Sequence, residues 1–566
     1  MSVRHSEVRS GAYYDSVVLM QLQRGLAELP GVLDAGVVMG TAANRELLEE
    51  SGLMTEEAAQ ASADDLVIVV QAQDDDAARA ALGQVDSLLK RRRSAAAQSF
   101  QPRSLDGAVK QMPDARWVLI SVPGRYAADV AREALTLQRH VFLYSDNVSL
   151  QEEVELKHTA REKGLLVMGP DCGTAIVNGV GLGFANRVRR GDVGLVAASG
   201  TGLQAITAHV HQLGGGISQA IGTGGRDLSD DVQGITTLQG LSLLDRDPET
   251  EVIVLVSKPP SADVAARLLS VAQGLSKPVV VYFMGQPVAV RQAGNLHFAF
   301  NLADAADLAL VAGFPDITDL APPGSDAPQV QPQGAYLRAL FSGGTLAYEL
   351  LLGLQNVLSP IYSNAPLRES QRLENALRSH GHTILDLGED QFTQGRLHPM
   401  MDNELRIRRL RQEADDPETG LILLDVVLGE GAHPDPASEL APVIAEVVEQ
   451  RQKPVGVLLV GTDEDPQDIE QQAARLEEAG ATVYQELSLA VEEAVNLLAS
   501  SSPVETGPPV SLEPFSEPLA AINVGLESFY NSLRGQGAEA VHVQWRPPAG
   551  GNEKMMALLA KLKAQQ

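Results

Sequence analysis

The feature that most constrains the fold is a short pattern that occurs twice along the chain. An apolar run, a turn of Ser, Gly and Thr, and a helical pattern follow one another after residue 192 and again after residue 335. The first cradle turn consists of Ser199, Gly200, Thr201 and Gly202, and the second cradle turn of Ser342, Gly343, Gly344 and Thr345. A strand, such a turn and a helix leave free backbone N–H groups at the helix N-terminus, where the helix dipole favours an anion. Each cradle turn is therefore predicted to bind phosphate.

Two further elements repeat in the same order after each cradle turn. Asp-Pro-Glu-Thr occurs at residues 247–250 and again at residues 416–419, each time before an apolar run. A Lys-Pro pair precedes the next apolar run at residue 277 and at residue 453. Three matched elements in one order indicate an internal duplication of a doubly wound α/β unit. We expect the two turns to face each other across the interface of the duplicated units, with one phosphoryl group between them.

Composition excludes several classes of partner. The 566 residues include 44 basic and 73 acidic side chains, and the net charge of −29 argues against nucleic acid or an anionic membrane as the partner. The single cysteine, Cys172, excludes an intramolecular disulfide and indicates a reducing compartment. No signal-peptide pattern, membrane-spanning run or metal-ligand constellation is visible. We expect a cytoplasmic protein that handles small anionic substrates.

Alternating strand and helix patterns predict several domains. The first segment has the order of a small ferredoxin-like α+β domain, and later segments alternate as in parallel, Rossmann-like sheets. The fold class is predicted to be multi-domain α/β with an N-terminal α+β domain. The predicted divisions are an α+β domain at 1–92, a Rossmann-like domain at 110–190, the duplicated units at 191–312 and 334–500, and a C-terminal segment at 519–566. Residues 313–333 and 500–518 have the composition of linkers.

Four side chains in predicted loops are candidates for catalysis, namely Arg226, Arg396, His398 and His433. An arginine can bind a carboxylate or a phosphate through two parallel hydrogen bonds. Arg396 and His398 together could stabilise an oxyanion and transfer a proton. The alternatives are a structural salt bridge for Arg226 and a domain-interface loop for Arg396 and His398. Asp425 lies inside an apolar strand pattern, so that it either faces a domain interface or accepts a hydrogen bond at a helix cap.

Several segments resemble known families. Residues 168–173 (Met-Gly-Pro-Asp-Cys-Gly) and the loop 221–227 resemble segments of the α subunit of succinyl-CoA synthetase, and the resemblance extends over roughly residues 115–500. A closer resemblance is to the FdrA family, carried by residues 395–402 and by the tail segments 522–527 and 545–551. The resemblance implies a Rossmann-like, CoA-binding-type domain followed by two flavodoxin-like domains of the succinyl-CoA synthetase type.

The resemblance to FdrA implies an acyl-CoA-synthetase-like subunit, and more specifically a subunit of oxamate carbamoyltransferase in allantoin breakdown that acts with two partner subunits. The synthetase resemblance also implies a phosphohistidine near His297, but the bulky neighbours Leu296 and Phe298 predict that His297 is not phosphorylated. The Gly-rich turn of the synthetase CoA site is missing, so we expect no tight CoA binding. No cofactor is assigned, and phosphate or carbamoyl phosphate is the expected ligand.

Three functions from different classes remain open at this point. The first is a transferase subunit that handles carbamoyl phosphate, which needs neither a CoA site nor an ATP-binding domain. The second is an acyl-CoA synthetase subunit whose partner chain binds ATP. The third is a non-catalytic scaffold for partner subunits. We expect an oligomer with partner subunits from the same operon in each case.

Overall fold

The computed structural model divides the chain into two compact units, Met1–Ala499 and Ser500–Gln566. The predicted linkers beyond residue 313 and between 500 and 518, residue 395 and the tail segment 545–551 lie outside the residues that the structure describes. The described residues are 3–10, 16–27, 29–40, 44–45, 48–49, 51–62, 65–93, 102, 104–122, 124–286, 290–313, 334–393, 396–498, 520–524, 531 and 533–543.

An antiparallel sheet of three strands and its helices form the N-terminal α+β domain. The central strand is buried along most of its length because it is rich in Val and Ile, which favour strands and pack on both faces. The strands run in the order β1-β3-β2. The elements are β1 (Val3–Arg9), α1 (Ser16–Ala27), β2 (Val32–Met39), α2 (Glu56–Ala59), β3 (Leu66–Ala72) and α3 (Asp75–Arg93).

A small parallel sheet with the order β4-β5-β6 follows, as the Rossmann-like pattern predicted. Its elements are α4 (Leu105–Gln111), β4 (Trp117–Ile120), α5 (Gly124–Thr136), β5 (His140–Leu143), α6 (Leu150–Glu162) and β6 (Val167–Met168). A fully buried ion network joins this sheet to the next domain. Lys157 Nζ lies 2.9 Å from Glu153 Oε1 and 2.7 Å from Asp227 Oδ1, and all three side chains are inaccessible to solvent.

The first duplicated unit is an eight-stranded sheet with helices on its faces. Five of its strands are parallel in the order β10-β9-β11-β12-β14, which is the 2-1-3-4-5 order of flavodoxin-like folds. The elements are β7 (Thr174–Val177), β8 (Val180–Gly183), β9 (Arg190–Ala198), α7 (Gly200–Gln212), β10 (Ile217–Gly222), α8 (Ile235–Arg246), β11 (Val252–Ser257), α9 (Ala262–Gln273), β12 (Val279–Phe283), β13 (Gln292–Ala293), β14 (Leu296–Phe298) and α10 (Leu302–Gly313).

The second duplicated unit repeats this order. Its parallel strands run β17-β15-β18-β19-β20, again 2-1-3-4-5, with β16 added at one edge. The elements are β15 (Tyr336–Phe341), α11 (Gly344–Leu354), β16 (Ile361–Ser363), a 3-10 turn (Glu369–Gln371), β17 (His382–Asp386), α12 (Asp390–Thr393), α13 (Glu404–Asp415), β18 (Thr419–Val427), α14 (Pro436–Arg451), β19 (Val455–Val460), α15 (Ile469–Glu478), β20 (Thr482–Tyr484) and α16 (Leu487–Leu498).

One hydrophobic core runs through both duplicated units, because α7 and α11 pack against each other and bury apolar side chains from both sheets. Each cradle turn follows the first of the five parallel strands of its sheet, at the switch point where ligands bind in open α/β folds. The second compact unit contains the parallel strands β21 (Ala520–Val524) and β22 (Glu539–Val543). Within the described part of the chain, no helix has both the length and the apolar character needed to cross a membrane.

Candidate functional site

The structure brings the two cradle turns into direct contact. Ser199 Oγ and Thr345 Oγ1 share a hydrogen bond of 2.7 Å between two side chains that are both buried. A Cβ atom added to Gly343 would lie only 2.8 Å from the Thr201 methyl group. The N-termini of α7 and α11 therefore converge at one point, where their helix dipoles add.

The first cradle turn keeps backbone donors available. Ser199 is the N-cap of α7, and its Oγ accepts a hydrogen bond of 3.1 Å from Gly202 N–H. Among the described residues, none accepts a hydrogen bond from Gly200 N–H or Thr201 N–H. A Cβ atom added to Gly200 would meet no atom closer than 3.6 Å, so there is room beside this turn. The first turn thus has the donors and the space that an anion needs.

In the second cradle turn, a carboxylate of the chain itself accepts hydrogen bonds from the backbone N–H groups of Ser342 and Gly343. Asp425 Oδ1 accepts from Ser342 N at 2.7 Å and from Ser342 Oγ at 2.9 Å, and Oδ2 accepts from Gly343 N at 2.8 Å. Arg406 Nη1 lies 3.1 Å from Oδ1, and the Asp425 side chain is fully buried. Of the two interpretations of Asp425, the helix-cap acceptor is the one observed. The prediction that both turns present free N–H groups to a phosphate is wrong for Ser342 and Gly343.

His398 is the predicted catalytic residue that lies against a cradle turn. Its Nε2 is 2.8 Å from the position that a Cβ of Gly388 would take, and Ser342 O is equally close to that position. Its Nδ1 accepts a hydrogen bond of 3.2 Å from Met400 N, which leaves the proton of the neutral ring on Nε2. Burial, assisted by the charge of Arg406, lowers the pKa of His398 to about 4. His398 is therefore a neutral donor at the edge of the site.

Asp386 is a residue of the site that the sequence reasoning missed. It ends β17, is only 4% exposed, and accepts a hydrogen bond of 2.9 Å from Gly388 N. Its Oδ2 would lie 2.2 Å from a Cβ added to Gly344, so that only glycine fits there. Burial raises the pKa of Asp386 to about 7, with the charge of Lys258 acting in the opposite direction. The sequence signal that could have identified Asp386 is its position as a carboxyl residue at the end of an apolar strand.

A second carboxyl with a raised pKa lies in the turn 169–173 of the synthetase-like motif. Burial raises the pKa of Asp171 to about 7, and the nearby charge of Asp146 acts in the same direction. Asp171 still reaches solvent, whereas its neighbour Cys172 is 2% exposed. Burial raises the pKa of the Cys172 thiol to about 12, so this cysteine is no nucleophile at neutral pH.

The other predicted catalytic residues make structural contacts. Arg226 Nε lies 2.9 Å from Glu153 Oε2, and its Nη2 donates to Val148 O at 2.8 Å, which is the salt bridge given above as the alternative. Arg396 Nε donates to Asn44 Oδ1 at 3.2 Å, so that this side chain contacts the N-terminal domain rather than a cradle turn. The structure thus favours the domain-interface alternative for Arg396.

His433 and His297 also lie in structural positions. His433 is 6% exposed, its Nδ1 accepts from Asp435 N at 3.1 Å, and its Nε2 lies 3.2 Å from Glu439 Oε1. His297 belongs to β14 and pairs with Val280 near the start of β12, three residues before that strand ends. The cradle turns follow strand ends, whereas His297 lies in the amino-terminal part of the sheet. This position accords with the prediction that His297 is not phosphorylated, which stays a prediction.

Three family models match the chain. A model described as the AllF, heavy metal-associated domain matches residues 1–104, a succinyl-CoA ligase like flavodoxin domain matches residues 190–311, and a CoA-ligase domain matches residues 340–497. The uncharacterized protein YahF of Escherichia coli K12 is 40% identical over 485 residues, which cover 84% of this chain and 94% of YahF. The chain belongs to the YahF family. The two CoA-ligase-type matches coincide with the two duplicated units, so each unit of this chain is similar to a CoA-ligase-type domain.

More distant relatives of the YahF-family chain are subunits of CoA ligases. The α2 subunit of an ADP-forming succinate–CoA ligase from Archaeoglobus fulgidus is 31% identical over 188 residues, which cover 32% of this chain and 63% of that subunit. The α subunit of malate–CoA ligase from Methylorubrum extorquens is 30% identical over 168 residues, covering 28% and 55% of the two chains. A solved dinucleotide-forming acetyl-coenzyme A synthetase 1 from Ca. Korarchaeum cryptofilum matches 70% of this chain and 87% of its own at 17% identity, with a TM-score of 0.31.

The family model of the N-terminal domain is described as heavy metal-associated, but the residues of this domain do not suit a heavy metal ion. Soft metals prefer thiolate ligands, and residues 1–104 contain no cysteine. His5, a donor of intermediate softness, is already bonded through Nε2 to Asp75 Oδ1 at 2.7 Å. Among the described residues, no group of three His, Cys, Asp or Glu side chains is placed to hold a metal ion.

Proposed function

We propose that this chain is the acyl-phosphate-handling subunit of a multi-subunit transferase, and that its reaction is carbamoyl transfer between carbamoyl phosphate and oxamate, giving oxalurate and phosphate. The observation that carries the proposal is the contact between the N-termini of α7 and α11, which share the 2.7 Å hydrogen bond between Ser199 and Thr345. Two converging helix N-termini stabilise a phosphate dianion as it departs, because the donors are fixed before the reaction begins.

The chemistry asks little of the protein beyond positioning and charge stabilisation. The amide nitrogen of oxamate forms a bond to the carbamoyl carbon, the bond from that carbon to the phosphate oxygen breaks, and the nitrogen proton ends on the departing phosphate. The N–H groups of Gly200 and Thr201 receive the phosphate. His398 supplies a neutral N–H donor, and Asp386, with its pKa raised to about 7 by burial, is suited to pass the proton.

The test is a phosphate-release assay on the purified chain, alone and with the products of the neighbouring genes. We expect release of phosphate from carbamoyl phosphate that depends on oxamate and on the partner subunits. Equal release with and without oxamate in the assembled complex would contradict the carbamoyl transfer. Ser199→Ala and Thr345→Val each remove the hydrogen bond between the two turns. They test whether this contact affects the rate independently of the assembly of the complex. We expect both variants to lower the rate while the complex still forms.

The second candidate is an acyl-CoA synthetase subunit, and the CoA-ligase-type matches to both duplicated units favour it. In that case a partner chain supplies the ATP-binding domain, and the complex makes an acyl-CoA from ATP, CoA and an acid. Calorimetry with CoA distinguishes the candidates. We expect no binding at micromolar CoA, because no Gly-rich turn precedes β4 in the sequence, and a dissociation constant in that range would promote this second candidate.

A further inference from the structure

A cleft lies between the N-terminal domain and the second duplicated unit. Its empty volume is about 720 Å³, which is within the range of small-molecule sites. No residue of either cradle turn is among the described residues that line it. Apolar side chains from both domains form much of its wall, among them Leu19, Val38, Leu48, Phe392, Leu397 and Leu405. The cleft is therefore a separate place in which a ligand with an apolar body could bind.

One guanidinium that lines this cleft has donors without acceptors. Arg396 Nε donates to Asn44 Oδ1 at 3.2 Å, whereas Nη1 and Nη2 have no acceptor among the described residues. Within the described part of the chain, Arg396 also forms no ion pair with a carboxylate. The planar face of donors that a guanidinium offers to a carboxylate is thus unused.

The acidic side chains of the cleft are bonded to other groups. Glu404 pairs with Arg408 through Oε1, and its Oε2 accepts a hydrogen bond of 3.2 Å from Gln23 Nε2. Asp402 Oδ1 accepts from Glu404 N at 2.8 Å, at the start of α13. Burial lowers the pKa of Arg396 by more than the charges of Glu404 and Asp402 raise it. Arg396 is therefore a part-buried positive charge that lacks a bonded anion.

We propose that this cleft binds a small organic monocarboxylate, with the carboxylate on Arg396 and the apolar body against the walls of the two domains. Two parallel hydrogen bonds from the guanidinium hold the carboxylate, and the bound anion supplies the charge that Arg396 lacks. A single negative charge fits better than a phosphate dianion, because Glu404 and Asp402 are close enough to repel a second charge. The inference goes beyond the proposed function and gives the N-terminal domain a ligand other than a metal ion.

The probe is 4-methylpentanoate, and 4-methylpentanamide is its uncharged control of nearly the same shape. Calorimetry on the full chain should give a dissociation constant below about 1 mM for the acid. The amide should bind about tenfold more weakly or less, because it loses the hydrogen bonds between charged groups. Acetate should also bind about tenfold more weakly or less, because it lacks the apolar body.

Two variants remove the two halves of the site separately. Arg396→Met should weaken the binding of 4-methylpentanoate about tenfold or more, because it removes the charged donors. Arg396→Lys should fall between that variant and the parent chain, because it keeps the charge without the planar donors. Leu405→Trp fills the cleft from a half-buried position on α13 and should abolish binding with Arg396 intact.

Arg139→Met is the matched control. Arg139 is 8% exposed, and its Nη2 donates to Pro113 O at 2.9 Å in the Rossmann-like domain. Because Arg139 does not line the cleft, we expect its loss to leave the affinity for the probe within about twofold of the parent chain. The comparison of acid and amide uses the parent chain alone, so it tests the proposal even if Arg396→Met does not fold.

Inorganic phosphate separates this site from the cradle turns. Binding of 4-methylpentanoate that phosphate leaves unchanged supports the inference, whether or not carbamoyl transfer is observed. Displacement of the probe by phosphate would put the anion at the turns and contradict the inference. Equal affinities for acid and amide, unchanged affinity in both Arg396→Met and Leu405→Trp, or no binding of the probe to the parent chain would each overturn it.

Discussion

Single carboxyl groups decide the electrostatics of this site. Asp386 and Asp171 both have a pKa raised to about 7 by burial, and each lies at a strand-end turn beside a cradle turn or the synthetase-like motif. Asp425, by contrast, is bonded to donors through both of its oxygens. Asp386 and Asp171 can therefore hold a proton near neutral pH, whereas Asp425 accepts hydrogen bonds from backbone N–H groups.

The raised pKa of Asp386 predicts a pH-dependent stability difference. The folded pKa of about 7 exceeds the unfolded value of about 3.9, so the folded chain binds this proton more tightly. The contribution of this proton to the free energy of unfolding is fully present below about pH 4 and is lost as the pH rises to about 7. Above that pH the free energy of unfolding no longer changes because of Asp386. Between pH 4 and pH 7 the free energy of unfolding of the parent chain should therefore fall relative to that of Asp386→Asn, by at most about 4 kcal/mol. Urea titrations from pH 4 to 8 measure it.

The control for that experiment is Asp129→Asn, because the Asp129 side chain is 82% exposed. We expect the difference between this variant and the parent chain to be flat with pH. A flat difference for Asp386→Asn as well would show that Asp386 titrates as an ordinary carboxyl, and its assignment to proton transfer would fail.

At the scale of elements, the N-termini of α7 and α11 leave no space beside Gly343 for a larger residue, but they leave space beside Gly200. A Cβ on Gly343 meets the Thr201 methyl group at 2.8 Å, whereas a Cβ on Gly200 meets nothing closer than 3.6 Å. Gly343→Ala should therefore push the turns apart and lower the free energy of unfolding by about 1–3 kcal/mol. Gly200→Ala should change it by less than about 0.5 kcal/mol. Denaturant titration of the pair is the measurement, and equal losses would mean that the turns are not in contact in solution.

The sequence predicted these turns because strand, Ser/Gly/Thr turn and helix are local patterns, readable within some twenty residues. It left the role of Asp425 open because the donors Ser342 and Gly343 lie more than 80 residues earlier in the chain. The same reason explains why Arg226 and Arg396 had two interpretations, since Glu153 and Asn44 are distant in sequence. Local periodicity indicates elements, but which buried charge meets which donor depends on how the elements pack.

At the scale of the whole molecule, one buried cation links the small Rossmann-like sheet to the first duplicated unit. Lys157 is enclosed with Glu153 and Asp227, and its Nζ also donates to Thr223 O at 2.9 Å. Lys157→Met leaves two carboxylates buried without their cation, and we expect a loss of about 3–5 kcal/mol in the free energy of unfolding. Lys110→Met serves as the control, because Lys110 pairs with Asp106 on the surface, and it should have little effect. Similar melting temperatures for the two variants would contradict the role given to Lys157.

The contact between Ser199 and Thr345 has a kinetic consequence as well. Both helices that converge on the site belong to one polypeptide and one compact unit, so the two turns meet in a first-order process. Dilution does not separate them, in contrast to a site completed by the encounter of two chains, whose occupancy falls with protein concentration. The site at which the two turns meet should therefore remain assembled at nanomolar protein concentrations.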